Sequence, residues 1–237
     1  MKINIVMLAC GRAQLTLQAI RSLYQNTPLD SFNLVVVDDG GYTEQEFAGL
    51  PINHWDNVDV ITLHNSGHIL GRNRNLGVIW SEKRFGRGDY LYLSDNDVVF
   101  LPKWSQRLTG VYENPGQGGF QLIGGCNHPF HQAIKTTFHN NIGNEGYGIR
   151  EYTAVAGTSH LMRWWVWDKY GPQVESQPGV GASEDFEYCQ RIREAGFRVG
   201  AIWPEVVIDT GITQTGGTPS PGADIKAKNK VPGIVYQ

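Results

Sequence analysis

Cysteine is scarce in this chain of 237 residues, and the three that occur lie far apart. Cys10, Cys126 and Cys189 are odd in number and form no closely spaced pair. They therefore indicate neither a disulfide framework nor a zinc site, and a reducing compartment is expected. On this ground we expect a cytoplasmic protein.

Long hydrophobic runs are also missing. No segment approaches the roughly 18 apolar residues that a membrane-spanning helix needs, and the apolar run at the start of the sequence is too short for a signal peptide. We therefore expect no transmembrane segment. Charged residues make up only 18% of the chain and the formal net charge is −3. This balance offers no general basic surface, so no stable nucleic-acid binding is expected.

What the sequence does contain is an alternation of apolar strands and helical patterns. Strands are predicted at residues 3–8, 33–37, 58–63 and 90–93, and helices at residues 13–24 and 72–83. Apolar strands without polar alternation are typical of a parallel sheet that is buried on both faces. We therefore predict an α/β fold, with a mostly parallel central sheet flanked by helices.

Three finer predictions concern single elements. Leu76, Ile79 and Trp80 form the apolar side of the helix at residues 72–83. A later strand is predicted over residues 152–156. A helix opening at Ser183 is expected to bury Phe186, Cys189, Ile192 and Ala195, although Ser at a cap and acids in the first turn also suit any helix start.

Small, acidic and amide residues follow each of the first four strands. The strand ends are Ala9-Cys10-Gly11-Arg12, Asp38-Asp39-Gly40, Asn65-Ser66-Gly67 and Asp95-Asn96-Asp97. In open α/β sheets ligands bind at the carboxyl ends of the strands, so these residues predict a ligand site. The chain has neither a Gly-x-Gly-x-x-Gly fingerprint nor a Gly-Lys-Ser/Thr phosphate loop, which excludes the two commonest nucleotide motifs.

The segment Asp95-Asn96-Asp97 is the most informative of these strand ends. In extended backbone the two aspartates point the same way while Asn96 faces the other side. Adjacent carboxylates repel each other unless a cation lies between them, and oxygen ligands suit Mg²⁺ or Mn²⁺. The alternative is an ordinary solvated turn.

Taken together, these motifs carry a resemblance to a known family. The ordered set Val-Val-Val-Asp38-Asp39-Gly40, Asn65-x-Gly67…Arg74-Asn75-x-Gly77, Leu93-Ser-Asp95-x-Asp97 and Ser183-Glu184-Asp185-x-Glu187 resembles glycosyltransferases of the GT-A fold, most closely those of family 2. The Arg12 turn and Gly179-x-Gly181-x-x-Glu184-Asp185 are also similar to motifs of galactosyl- and N-acetylgalactosaminyltransferases. The resemblance covers about residues 1–210.

The resemblance implies a nucleoside-diphosphate sugar donor, with a UDP-sugar favoured, and transfer of the sugar (a hexosyl group) to an acceptor hydroxyl. It implies Mn²⁺ or Mg²⁺ on Asp95 and Asp97, with Asp209 in the place of the family's usual histidine. It implies Asp185 as the general base of an inverting transfer and Glu184 as an orienting or acceptor-binding group. The donor-binding residues that it implies are Ala9, Gly11, Arg12, Asp38, Asp39, Gly67, Arg72, Arg74, Asp95, Asn96 and Gly157.

The same resemblance suggests how the chain is divided. Residues 1–211 would form the GT-A domain, with a nucleotide-binding half at 1–100 and an acceptor half at 101–211. Residues 212–237, rich in Thr, Gly, Pro and Lys, would be a flexible tail or a lid over the diphosphate. His128, His131 and His139 are interpreted as acceptor-side loop residues. Trp164, Trp165 and Trp167 could stack on a sugar, although packing is expected for two of them.

Several alternatives stay open at this point. A retaining transferase would share the fold. A nucleotidyltransferase would use a related sheet but would need a Gly-rich basic loop after the first strand. A non-catalytic carbohydrate- or nucleotide-binding module would account for the tryptophans without turnover. The acceptor (glycan, protein, lipid, small molecule or modified nucleic acid) is not specified by the sequence.

Overall fold

The computed structural model of the chain describes residues 1–10, 12–39, 56–63, 69–113, 119–126, 133–142, 147–175 and 184–210. The described strands are β1 (Ile3–Ala9), β2 (Phe32–Asp38), β3 (Val58–Thr62), β4 (Tyr90–Asp95), β5 (Val98–Phe100), β6 (Phe120–Gly124), β7 (Ala133–Ile142), β8 (Tyr147–Tyr152), β9 (Ser159–Arg163), β10 (Arg198–Trp203) and β11 (Val207–Asp209). The described α-helices are α1 (Ala13–Asn26), α2 (Leu70–Phe85), α3 (Trp104–Glu113), α4 (Trp164–Tyr170) and α5 (Glu184–Glu194).

Nine of the strands form one sheet in the order β3-β2-β1-β4-β9-β6-β10-β8-β7. β1, β2, β3 and β4 run parallel to one another. β9 lies antiparallel between β4 and β6, and β10 pairs parallel with β6 and antiparallel with β8. The sheet is therefore parallel at one side and mixed at the other. The predicted α/β fold is confirmed, and the four predicted strands and the helices at 13–24 and 72–83 are found as β1 to β4, α1 and α2.

Helices cover both faces of the sheet because successive strand residues point to opposite sides. On one face Ile5 of β1 packs in a cluster with Leu23 of α1 and Leu108 of α3. On the other face Val6 of β1 belongs to a cluster with Ile192 of α5. In the described part of the chain, no helix is long and apolar enough to cross a membrane.

The side of helix α2 that was predicted to be buried is instead exposed, so this prediction is wrong. Leu76, Ile79 and Trp80 are exposed, whereas the buried side carries small and polar residues together with Val78. Gly77 explains this packing, since a Cβ at that position would overlap the side chain of Val6 on β1. The glycine lets α2 lie directly on the sheet, and the polar residues beside it are thereby buried.

Two other local predictions are also corrected. Phe186 and Ala195 were both expected in the buried stripe of α5, but Phe186 is 46% exposed, and Ala195 is exposed and lies beyond the end of the helix at Glu194. The first turn of that helix buries Glu184 instead. The strand predicted over 152–156 is not formed, because β8 ends at Tyr152 and β9 begins at Ser159. The six residues between them leave the sheet, and Val155 packs in the core layer beneath α5.

Candidate active site

The carboxyl ends of the parallel strands meet at one edge of the sheet, as the sequence predicted. Ala9 is in register with Asp38 on β2, and Leu8 is in register with Asp95 on β4. Asp38 is fully buried, and the half-buried Asp39 accepts a hydrogen bond of 2.7 Å from Asn73 Nδ2 of α2. The polar side of α2 therefore orients the acidic end of β2.

Arg74 of α2 is the centre of this edge. Its side chain is 1% exposed, and its Nη2 lies 2.8 Å from Asp95 Oδ1 while its Nη1 lies 3.0 Å from Glu184 Oε1. Burial alone would lower the pKa of Arg74, but the nearby carboxylates outweigh it and raise the pKa. One guanidinium thus joins the end of β4 to the start of α5, which are far apart in the chain.

Opposing effects act on the pKa of the Glu184 carboxyl group. Burial raises the pKa of its carboxyl group above the ordinary value, and the nearby Asp185 adds to the increase, whereas Arg74 lowers it. Its second oxygen, Oε2, is buried and has no hydrogen-bond partner among the described residues. Arg74 therefore fixes one oxygen of the carboxylate that was expected to orient the site.

Gly157 connects Arg74 to Asp185. A Cβ on Gly157 would lie 2.6 Å from Arg74 Nη1, so only glycine permits the backbone to lie against the guanidinium. The Gly157 N–H donates to Asp185 Oδ2 at 2.9 Å, and Asp185 itself is half-buried. The predicted base is therefore positioned by the backbone that covers Arg74.

His160 was not predicted from the sequence. It lies on β9 beside Leu93 of β4, is fully buried, and its Nε2 lies 2.9 Å from the carbonyl oxygen of Val155. Since a carbonyl only accepts, Nε2 carries the proton. Burial first, and the charge of Arg74 after it, lower the pKa of His160 to about 4, so the imidazole is neutral at pH 7. A lone histidine in an apolar strand gives no signal that could have identified it.

A second group of acids lies beside the first. β11 pairs antiparallel with β5, with Asp209 opposite Val98, and both the N–H and the hydroxyl of Thr210 donate to the Asp97 carbonyl at 2.8 Å. This pairing brings Asp209 near Asp97. Burial, Asp95 and Asp209 together raise the pKa of Asp97 to about 7, although Arg12 lowers it.

Among the described residues, Arg12 forms an ion pair with this second group. Arg12 Nη1 lies 3.4 Å from Asp97 Oδ2, at the long end of a hydrogen bond. Arg12 occupies the left-handed backbone region with a φ of 55° where α1 begins, which turns the chain at the end of β1. Within the described part of the chain, the cation contact of Asp97 is therefore longer than the contacts that Arg74 makes.

These acids fit a divalent cation that is shared with a ligand. Among the described residues no three His, Cys, Asp or Glu side chains are arranged to hold a metal. Mg²⁺ and similar ions are, however, commonly held by one or two carboxylates plus substrate phosphates. Asp97 and Asp209 supply such a pair, whereas Asp95 is engaged by Arg74.

The structure separates the remaining predicted residues. Asn96 is buried and donates to Thr16 Oγ1 at 2.8 Å, so it stabilises the junction with α1. Arg72 is exposed on α2, away from its buried side. Outside the described residues, or with side chains that are not described, lie Gly11, Gly67, His128, His131, His139, Ser183 and the segment 212–237.

The tryptophans of α4 lie away from this edge, so the structure does not support their stacking on a donor sugar. β9 runs antiparallel to β4 with Arg163 opposite Tyr90, which places the start of α4 at the far end of the sheet. Trp164 is buried there, with Arg87 4.8 Å above its ring, and Trp165 packs against Phe197.

The sequence profile described as glycosyl transferase family 2 matches residues 4–164, which includes the strand ends and Arg74. The chain belongs to glycosyl transferase family 2. None of the curated protein sequences compared with the chain matches it significantly.

Solved structures with the same fold are similar to this family 2 chain. They include S. aureus TarS 1–349 (TM-score 0.61, 14% identity, covering 87% of this chain and 59% of that one). They also include GalNAc-T7 with UDP, GalNAc and Mn²⁺ (TM-score 0.61, 14% identity, covering 85% of this chain and 43% of that one). A third is the mannosyltransferase PcManGT from Pyrobaculum calidifontis with GDP-Man and Mn²⁺ (TM-score 0.61, 13% identity, covering 91% of this chain and 58% of that one). The chain thus spans between 43% and 59% of the length of these proteins.

Proposed function

We propose that this chain transfers a sugar from a nucleoside-diphosphate sugar, with UDP as the favoured nucleotide, to the hydroxyl group of an acceptor. The observation that carries the proposal is the pair of contacts made by Arg74. This buried guanidinium joins Asp95, at the ends of the parallel strands, to Glu184, which precedes Asp185. Donor and acceptor sites in a transferase must be held at a fixed separation, and Arg74 is the group that would hold it.

The donor side is assigned to residues 1–100, with the acids at the ends of β2 and β4, and to Asp209 at the end of β11. Asp38 and Asp39 would meet the base and ribose, and Arg12 would approach the nucleotide. Asp97 and Asp209 would hold Mn²⁺ or Mg²⁺, which when bound supplies positive charge against the leaving nucleoside diphosphate. The raised pKa of Asp97 supports this assignment, because burial and the nearby carboxylates of Asp95 and Asp209 disfavour the charged form of Asp97, which a bound cation would favour.

The acceptor side is assigned to residues from 101 onward and to the start of α5. Asp185 would accept the proton of the attacking hydroxyl, which gives transfer with inversion. The Gly157 N–H donates to Asp185 Oδ2 and the Phe186 N–H donates to Asp185 Oδ1 at 2.7 Å. Because a carboxylate can accept about four hydrogen bonds, capacity for a substrate remains. Glu184, fixed by Arg74, would position the helix start that carries the base.

The test of the base is Asp185→Asn. We expect metal-dependent binding of the nucleotide to be retained and transfer to fall by roughly two to four orders of magnitude, the usual contribution of a general base. Glu187→Gln is the matched control, because Glu187 lies in the same helical turn but pairs with Arg191 at 2.8 Å. Binding is measured by titration calorimetry and transfer by release of the nucleoside diphosphate. Full transfer by Asp185→Asn would contradict the inverting mechanism and favour the retaining one.

A further inference from the structure

Trp203, the last residue of β10, is unusually exposed for its place in the sheet. Val199 and Ala201 point to the same face of β10 and are fully buried in the core layer that contains α5. Trp203 follows on that face and is 37% exposed. A large aromatic surface is therefore presented to solvent directly beyond the end of the core.

The neighbouring strand β8 frames the indole of Trp203. Trp203 is paired with Gly148, which offers no side chain to cover it, and Ala201 is paired with Arg150. The Arg150 guanidinium lies 4.1 Å from the centre of the indole ring. This stacking holds the ring in one orientation and places cationic hydrogen-bond donors beside it.

The path of the chain brings Trp203 to the same edge of the sheet as Asp185. α5 runs away from the site for about 16 Å, and β10 returns beneath it for about 20 Å. The chain reverses between them at Gly196, which has a φ of 85°, and Phe197 N–H donates back to the Ile192 carbonyl. The start of α5 and the end of β10 therefore lie at the same edge of the sheet. They also lie on the same face of the sheet, where side chains of α5 and β10 share one core cluster.

We propose that Trp203 and Arg150 form a binding platform for a sugar ring of the acceptor, which makes the acceptor a saccharide or a glycan. The C–H face of a sugar ring packs on the indole, and its hydroxyl groups accept hydrogen bonds from the guanidinium. An apolar wall with a few placed polar groups is the usual composition of a small-molecule site. The inference rests on the proposed function, since it places the bound sugar at the same edge and on the same face of the sheet as Asp185, the proposed base.

The chain provides well-matched controls for the test. Trp80 on α2 and Trp165 on α4 are 38% and 39% exposed, nearly the same as Trp203. Trp165 packs against Phe197, which precedes β10 at the opposite end of the strand from Trp203. Each of the three tryptophans is replaced by alanine, and Trp203 also by phenylalanine, which keeps a smaller aromatic face. Thermal unfolding of every variant reports whether the fold is intact.

The probe is a panel of free mono- to tetrasaccharides built from hexoses and N-acetylhexosamines. Binding to the full chain is followed by saturation-transfer NMR in the presence of UDP and Mn²⁺. We expect at least one saccharide to bind, Trp203→Ala to weaken it by about tenfold or more, and Trp203→Phe to have an intermediate effect. Trp80→Ala and Trp165→Ala should bind it as the unsubstituted chain does.

Two results would overturn the inference: no saccharide binds the unsubstituted chain, or the bound saccharide is unaffected by Trp203→Ala. Failure of the proposed function is seen separately, as the absence of any nucleotide binding and of any hydrolysis of nucleotide sugars. A chain that hydrolyses a nucleotide sugar while Trp203→Ala leaves saccharide binding unchanged would contradict the platform alone.

Discussion

The two groups of carboxylates at the edge of the sheet are compensated in different ways. Glu184 and Asp95 share a buried guanidinium at 3.0 and 2.8 Å, whereas Asp97 faces Arg12 at 3.4 Å and has a pKa raised to about 7. The first group is held by its own cation and has a fixed geometry. Among the described residues, the second group has a longer contact to its cation, and burial raises the pKa of Asp97. On this difference the proposed function gives the Arg74 group the role of orienting reacting groups and the Asp97 group that of binding a cation.

The largest effect is expected from Arg74→Met. Removing the guanidinium leaves the buried Glu184 and the partly exposed Asp95 uncompensated, and breaking a buried ion pair costs about 3–5 kcal/mol. Arg12→Met is the matched control, because its longer and more exposed contact should contribute about 1 kcal/mol or less. Urea unfolding measures both. Equal losses in the two variants would contradict the distinction between the two groups.

The next effect concerns pH and Asp97. Between the ordinary pKa of 3.8 and about 7, the folded protein keeps a proton that the unfolded chain has lost. The free energy of unfolding contributed by Asp97 therefore falls as pH rises from about 4 to about 7 and is constant above that range. Asp97→Asn should abolish this fall and stabilise the metal-free protein at pH 8 by a few kcal/mol, since each unit of pKa shift corresponds to about 1.4 kcal/mol.

The measurement is the difference between the unfolding curves of wild type and Asp97→Asn over pH 4–8, with chelator present. Added Mn²⁺ should stabilise the wild type at pH 7 and leave Asp97→Asn unchanged. A difference curve that is flat with pH would show that the pKa of Asp97 is not raised in the folded protein.

A smaller effect is expected from Gly157→Ala. The added methyl group would press on the Arg74 guanidinium, and overpacking of this kind costs about 1–3 kcal/mol. The strain falls on Arg74 and Asp185 but not on Asp97 and Asp209, so turnover should drop while metal-dependent nucleotide binding persists. Turnover and calorimetric titration check this. Loss of nucleotide binding would show that the two groups are not independent.

The sequence predicted the strands and the acids at their ends well, because a buried parallel sheet requires uninterrupted apolar runs and brings the residues after those runs to one edge. It failed on α2, where Gly77 brings the helix so close to β1 that the buried side is small and polar. Apolar spacing alone then selects the exposed side, Leu76 and Ile79.

The Arg74 contacts could not be predicted for a related reason. They join residues that are 21 and 110 positions apart, and no local pattern encodes such a pairing. Phe186 was misplaced because Glu184 takes the buried position in the first turn of α5, and a buried carboxylate is expected only once its cation is known.

The most direct test of the proposed nucleoside-diphosphate donor site is thermal unfolding of the chain with UDP, GDP, dTDP, CDP and ADP, each with Mn²⁺ and with chelator. A ligand at a hundredfold excess over its dissociation constant stabilises the folded state by about 2.7 kcal/mol. We predict a shift with one nucleotide, UDP being favoured, that requires Mn²⁺ and is lost in Asp97→Asn. A chain that shows no shift with any of the five would contradict the proposed nucleoside-diphosphate donor site.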